Sequence, residues 1–209
     1  MDPLGARPAQ PAHPDPFQQM RAALARWVEL PDPQWARFAG LFRPRTVSQL
    51  GYVVLPGAPY HELMFVCSGL LRFFYVREDG GEYNKAFVAE NQLSGALAAF
   101  ELAQPIPYGV QALEPAALLV APYAEFAALF DEHPLFERLG RKFAEWLLIR
   151  KELRTWSLQQ QRAAERYRDF LDQHPDLAQR VPQYHIASYL GVTEVSLSRL
   201  KRSLAEAAA

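Results

Sequence analysis

The 209 residues include one cysteine, Cys67. That excludes an intramolecular disulfide, a cysteine-rich zinc site and a cysteine-ligated iron–sulfur cluster, and makes a reducing cytoplasm the expected compartment. Long apolar runs are missing as well. No stretch reaches the roughly 18 residues that a spanning helix needs, and Met1 to Arg7 offer no apolar segment for a signal peptide. No membrane association is expected. Net charge is nearly absent at −1, but it is unevenly spread. Residues 141–209 hold 12 Lys and Arg against 8 Asp and Glu, and the remainder holds 10 against 15. A mildly basic C-terminal third on an acidic body permits nucleic-acid binding without requiring it.

Apolar material is plentiful: half the residues are hydrophobic and 12% are aromatic, ample for a buried core. Five of the 17 prolines fall in residues 1–16, which reads as a disordered tail. From Phe17 the pattern turns helical, with Met20, Leu24, Trp27 and Val28 at spacings of three and four. Asp32-Pro33 opens a second short helix holding Trp35, Phe38 and Leu41. Residues 45–125 then alternate short runs rich in Val, Leu, Phe and Tyr with turn residues. Pro56-Gly57, Ser68-Gly69 and Asp79-Gly80-Gly81 punctuate six or seven strands, and the last is a hairpin signal because Gly accepts positive φ. A β-barrel or jelly-roll is expected there.

From Pro134 the period is helical again. Phe136, Leu139, Phe143, Trp146, Leu153 and Ser157 recur at three and four, widened by Leu147, Ile149 and Trp156. A helix of about 25 residues is about 37 Å long and overshoots a small barrel. A second copy of the chain is therefore expected against Phe143, Trp146, Leu147, Leu153 and Trp156. The fold class that results is α+β: N-terminal helices and a jelly-roll β-roll domain (17–133), a long dimerisation helix (134–160) and an all-α C-terminal domain (161–209).

That last domain carries the functional pattern. Pro182 fits a first helical turn, Ile186 and Leu190 form a core face, and small Ala187 lets a second helix cross closely. Gly191 falls where the first helix must end left-handed, Val192 plugs the turn, and Thr193 is an N-cap for the next helix. Leu197, Leu200 and Leu204 give that helix its buried face. This is the sequence form of a helix-turn-helix. Residues 193–204 are then the recognition helix, and Thr193, Glu194, Val195, Ser196, Ser198, Arg199, Lys201 and Arg202 are the candidate DNA contacts. Arg199 has the two-pronged donor geometry for a guanine edge, Glu194 suits a cytosine amino group and Val195 a thymine methyl. Lys201, Arg202 and Arg180 are expected on phosphate, which positions without specifying.

Helix, barrel, long helix and helix-turn-helix, in that order over residues 17–204, resemble the Crp/Fnr family of bacterial transcription regulators. The likeness is carried by Pro56-Gly57, by Phe65 to Tyr75, by the Asp79-Gly80 turn, and by Arg180-Val181-Pro182 through Arg202. The resemblance implies a homodimer whose β-roll senses a signal and whose long helices pass it to DNA-binding heads on a palindromic double-stranded operator, with RNA polymerase as a further partner. It also exposes departures. Cyclic-nucleotide binders of the family carry a Gly-Glu pair for the ribose and an Arg-Ser/Thr pair for the phosphate. Here Ser94-Gly95 stands at the first position and Ile106-Pro107 near the second, and no Arg or Lys lies between Lys85 and Arg138. No cyclic-nucleotide response and no resident cofactor are expected. Ser94, Gly95, Phe100, Tyr108 and Gln111 are the candidate lining of a pocket for a different small molecule, a collapsed pocket being the alternative. Haem would need a placed axial ligand, and His61 and His133 read as solvated. The chain ends five residues beyond Leu204, and the short loop from His174 to Arg180 leaves little room for a hairpin, so the head is expected to lack a wing.

Enzymatic chemistry finds no support. A metal-dependent barrel enzyme needs paired histidines and a carboxylate, yet residues 45–125 hold only His61. No nucleophile elbow or phosphate-gripping glycine loop occurs. No catalytic residue and no metal site are expected. The competing reading keeps the sensing dimer but makes the helical head a protein-contact surface, because residues 193–204 carry a net charge of only +2.

Overall fold

A computed structural model describes residues 15–102 and 104–208 of the chain. Most of the proline-rich tail, residues 1–14, lies outside the described residues, and Pro16 belongs to the first helix. Two helices, α1 (Pro16–Ala25) and α2 (Asp32–Ala39), lead into strands β1 (Arg43–Val47), β2 (Tyr52–Val54), β3 (Glu62–Ser68), β4 (Leu71–Val76), β5 (Glu82–Val88) and β6 (Leu93–Ser94). Helix α3 (Leu97–Leu102), strands β7 (Tyr108–Ala112) and β8 (Ala116–Pro122), and helix α4 (Tyr123–Glu132) complete the roll. The long α5 (Pro134–Gln160) leads to α6 (Ala163–Gln173), α7 (Pro175–Arg180), α8 (Gln183–Leu190) and α9 (Glu194–Ala208).

The strands form two antiparallel four-stranded sheets, ordered β1-β8-β3-β6 and β2-β7-β4-β5. β3 reads as an unbroken apolar run because both of its faces are covered. Leu63 and Phe65 face the helices, joining Met20, Phe38, Leu119, Phe126, Leu139 and Phe143. Met64 and Val66 face the opposite sheet, with Leu71, Phe73, Val110 and Leu118. The period of two sorts one strand between two cores. Gly69 turns β3 into β4 at φ +89°, and a Cβ there would lie 2.4 Å from the Pro115 carbonyl oxygen.

Two strands escape the sequence pattern for different reasons. β1 is an edge strand, where Pro44 and two arginines are tolerated because only one side must hydrogen-bond. β6 is just two residues long. The segment expected as a loop from His174 to Arg180 is instead the one-turn helix α7, which Pro175 opens.

α5 matches its expected bounds but not its expected exposure. Phe143 is buried in the chain's own core, and Trp146 and Leu147 pack against that core. Phe143 is therefore lost to the expected self-contact face, while Trp146 and Leu147 keep part of their surface. Beyond them Leu148, Ile149, Leu153 and Trp156 are each more than half exposed. The roll covers the first half of the helix and leaves the outward face of the second half bare.

The C-terminal domain does not hang free. Leu70, Phe87 and Leu113 of the roll share one buried cluster with Tyr167, Phe170, Leu177, Val181, Ile186, Leu190 and Leu197. This seam has no counterpart in the sequence pattern.

Candidate functional site

The helix-turn-helix is built as the residues dictate. Gly191 ends α8 at φ 70°, ψ 36°, and the Val192 amide reaches back to the Ala187 carbonyl. Thr193 caps α9, its hydroxyl accepting from the Ser196 amide at 3.1 Å. Ile186, Ala187, Leu190 and Leu197 are buried. Thr193, Glu194, Val195, Ser196, Ser198, Arg199, Lys201 and Arg202 are all exposed, and Lys201 also donates to the Gln183 side-chain oxygen at 3.1 Å. Leu200 and Leu204 are half-buried.

Arg180 is not with them. Its guanidinium donates to both oxygens of Glu90 (2.8 and 2.9 Å) and both of Glu114 (2.5 and 2.9 Å). Those hydrogen bonds hold Arg180 above, and Glu90 below, their ordinary pKa values, although burial of the Glu90 carboxyl opposes its shift. Arg180 thus ties head to roll, and its charge is already met by two carboxylates rather than free for phosphate. A second tie lies along β5. The Asn84 amide nitrogen donates to His185 Nδ1 at 3.0 Å and to the His185 carbonyl at 3.1 Å, and its backbone N–H donates to Ser188 Oγ. Behind it, buried Arg72 donates to Gln111 at 2.8 Å and to Glu82 at 2.5 Å. Gln111 therefore belongs to this network and not to a ligand pocket. Burial, with Arg72 nearby, pushes the His185 pKa down to about 4.

The cavity lies on the inner side of the roll. A half-open space of about 650 Å³ lies between β4, β5, the segment from Ser94 to Tyr108, and α5, with Tyr189 of α8 also in the lining. Ser94, Gly95 and Tyr108 line it, and Phe100 does not. Phe100 stacks on Tyr123 at 4.1 Å between ring centroids. No Arg or Lys occurs across residues 86–137. The fold nevertheless brings four to the wall: Lys85 from β5, and Arg150, Lys151 and Arg154 from α5. Lys85 Nζ sits 3.6 Å over the Tyr108 ring, and burial, reinforced by Lys151, lowers its pKa to about 8. Arg150 lies 4.7 Å over Trp146 and is also held below its ordinary value by burial. Arg154 stacks 3.9 Å over Tyr189 and donates to its carbonyl. Among the described residues no carboxylate lines this cavity. Sequence spacing does not bring these residues together, because α5 is far from β5 in the chain. Among the described residues no cluster of metal-ligating side chains occurs.

Residues 45–133 match the cyclic nucleotide-binding domain family. No curated protein matches the sequence significantly. Among solved structures the chain is similar to FixK2 from Bradyrhizobium japonicum (17% identity, TM-score 0.69, covering 80% of this chain and 86% of that one). It is also similar to the c-di-GMP responsive regulator CLP from Xanthomonas campestris (16%, 0.68, covering 85% and 93%). The Thermus thermophilus catabolite activator protein is a third (20%, 0.55, covering 89% and 88%). The chain accordingly has the fold of the Crp/Fnr regulators. Within it, residues 45–133 match the cyclic nucleotide-binding domain family, and the likeness in fold read from the sequence holds.

Proposed function

We propose that the protein is a homodimeric, sequence-specific DNA-binding transcription regulator of the Crp/Fnr type, cytoplasmic and without enzymatic activity, whose β-roll senses a small molecule other than a cyclic nucleotide. One observation carries this reading: α9 buries Leu197 while presenting Glu194, Val195, Ser198 and Arg199 together to solvent, capped by Thr193. That is the geometry a recognition helix needs to enter a major groove near its N-terminus. Two such helices, paired through the bare half of α5, would read a palindrome with half-sites about one turn of DNA apart. RNA polymerase is the further partner on which a regulator so placed acts.

The test is selection of binding sites from a randomised DNA library with purified protein at near-physiological salt. An enriched palindrome supports the reading and supplies the operator. The modest charge of the recognition segment favours one competitor, a head that contacts protein. Arg199→Ala separates the two. Under base readout it costs about 1–3 kcal/mol of DNA affinity and relaxes preference at one base position, whereas under protein contact DNA retention is unchanged.

A further inference from the structure

We propose that Asn84 is a positioning residue: it fixes the angle at which the helix-turn-helix is held on the roll, and with it the spacing of the two half-sites that the protein reads. This deepens the DNA-binding half of the function proposed above and rests on it.

The covalent chain leaves that angle open. Between α5 and α6 stand Gln161 and Arg162, both extended, at φ −90°, ψ 146° and φ −70°, ψ 154°. Such a break between helices is a hinge unless contacts beyond it hold the two sides. The apolar cluster that joins Leu70, Phe87 and Leu113 to the head supplies adhesion, but apolar burial is non-directional. Direction comes from hydrogen bonds.

The polar ties across the seam differ in slack. Arg154 and Arg180 reach their partners through the ends of long side chains, which have rotamers enough to follow a partner that moves. Asn84 is short and 1% exposed. Its amide nitrogen donates to His185 Nδ1 at 3.0 Å and to the His185 carbonyl at 3.1 Å, and its backbone N–H donates to Ser188 Oγ at 2.9 Å. His185 and Ser188 are three residues apart on one face of α8. Two points held in this way fix the rotation of α8 about its axis and its slide along it. The recognition helix follows through the Gly191 turn and buried Leu197.

The strand is shaped to present this residue. The register of β5 on β4 shifts between Phe73↔Ala86 and Phe74↔Asn84, which makes Lys85 the extra residue of a bulge. Lys85 and Ala86 both line the cavity, whereas Asn84 and Phe87 both meet the head. In a regular strand, residues three apart point to opposite sides. The bulge therefore turns Asn84 to the side that Phe87 occupies. Buried Arg72, held by Gln111 and Glu82, stands 3.5 Å from Asn84 Oδ1 and favours the amide with its oxygen inward and its NH2 toward α8.

The readout is tolerance of half-site spacing. One base pair added or removed moves a half-site by about 3.4 Å along the duplex and turns it by about 35°. With the operator selected as above, wild type is expected to prefer its own spacing by about tenfold or more over spacings one base pair longer or shorter, because firmly held heads engage both half-sites at one spacing only. Asn84→Ala is expected to cut that preference to about threefold or less and to leave binding of a single half-site unchanged. Ser188→Ala, which keeps buried Asn84 in place, should act in the same direction by a smaller amount. Phe38→Leu, in the separate core between roll and N-terminal helices, should lower the melting temperature and keep the wild-type preference. A preference undiminished in both seam variants, or lost equally in Phe38→Leu, would overturn the proposal.

Residual dipolar couplings of the same proteins without DNA report the head directly. A single alignment should fit roll and head in the wild type, and the head's couplings should shrink in Asn84→Ala; couplings of full size in that variant would overturn the proposal as well. A head that loosens in Asn84→Ala, when wild type selects no operator, supports the positioning role and indicts the DNA reading alone. An operator whose spacing tolerance both seam variants leave unchanged indicts the role of Asn84 alone.

Discussion

The side-chain amide of Asn84, in the sheet of the β-roll, donates to Nδ1 of His185, in the first helix of the helix-turn-helix, across 3.0 Å. The bond requires an unprotonated Nδ1, so it exists only while the imidazole is neutral. A proton on Nδ1 would set donor against donor. Turning the amide over would forfeit its bond to the His185 carbonyl. The seam between sensor and head therefore contains a group that resists protonation, with Arg72 repelling the proton and Glu82 attracting it.

The sign of the pH effect follows. The folded pKa, about 4, lies below the ordinary histidine value of 6.5, so between these limits the unfolded chain binds more protons and stability falls as pH falls. We expect a loss of about 1–2 kcal/mol from pH 6.5 to 4, reduced from the full value by solvent at the seam. Chemical denaturation at a series of pH values measures it. His185→Gln should reduce the slope in this window, leaving the part due to His174, whose pKa burial also lowers, and the steeper acid loss below 4.5, where Glu90 protonates. An unchanged slope in the variant would show that His185 does not titrate across the seam.

Arg180 makes the second tie, and its removal should be felt by the head first. Arg180→Met abolishes the bonds to Glu90 and Glu114 and leaves two partly buried carboxylates without their cation. A loss of about 1–3 kcal/mol is expected. Hydrogen exchange should locate it, with amides of α7 and α8 losing protection while those of β3 and β8 keep theirs. Uniform loss across the chain would mean that head and roll unfold as one unit.

Much of this architecture was legible in local pattern. Gly191 declared its left-handed turn, Thr193 its cap and Pro134 the start of α5, because each is a consequence of residues within one or two helical turns. What the sequence concealed was contact between distant segments. Arg180 sits beside the recognition module in sequence and resembles a phosphate ligand, yet its partners are 66 and 90 residues away. Lys85 and Arg150 reach one cavity only after the roll has closed on α5. Gln111 and Phe100 are near the cavity in sequence, but Arg72 and Tyr123 claim them. Apolar periodicity likewise could not say which half of α5 the chain's own roll would use.

The β3–β4 turn offers a test of the roll that is independent of function. Gly69 combines φ +89° with backbone on its Cβ side: Pro115 oxygen at 2.4 Å and Ala116 Cα at 2.8 Å. Backbone cannot swing aside as a side-chain tip would. Gly69→Ala should therefore cost more than the roughly 1 kcal/mol of the left-handed conformation alone, with about 2–4 kcal/mol expected once the displaced β8 hairpin is included. Gly80→Ala is the control, since φ is similar at +81° but the Cβ would point into open space. Thermal melts should rank wild type above Gly80→Ala above Gly69→Ala.

The bare half of α5 separates pairing from folding. Ile149, Leu153 and Trp156 lie four and three residues apart, on one stripe of the helix, and are 53%, 61% and 55% exposed. Phe143, six residues before Ile149, is 1% exposed and belongs to the chain's own core. Leu153→Asp should therefore weaken self-association by about tenfold or more, because an interfacial carboxylate must be desolvated without a partner. It should scarcely move the melting temperature of the monomer. Phe143→Ala should do the opposite, costing about 3–5 kcal/mol of stability through the cavity it opens without a direct effect on pairing. Sedimentation across a concentration series, read beside thermal melts of the same samples, distinguishes them. If Leu153→Asp leaves association intact, the chain pairs through another face and the two recognition helices cannot be set by α5.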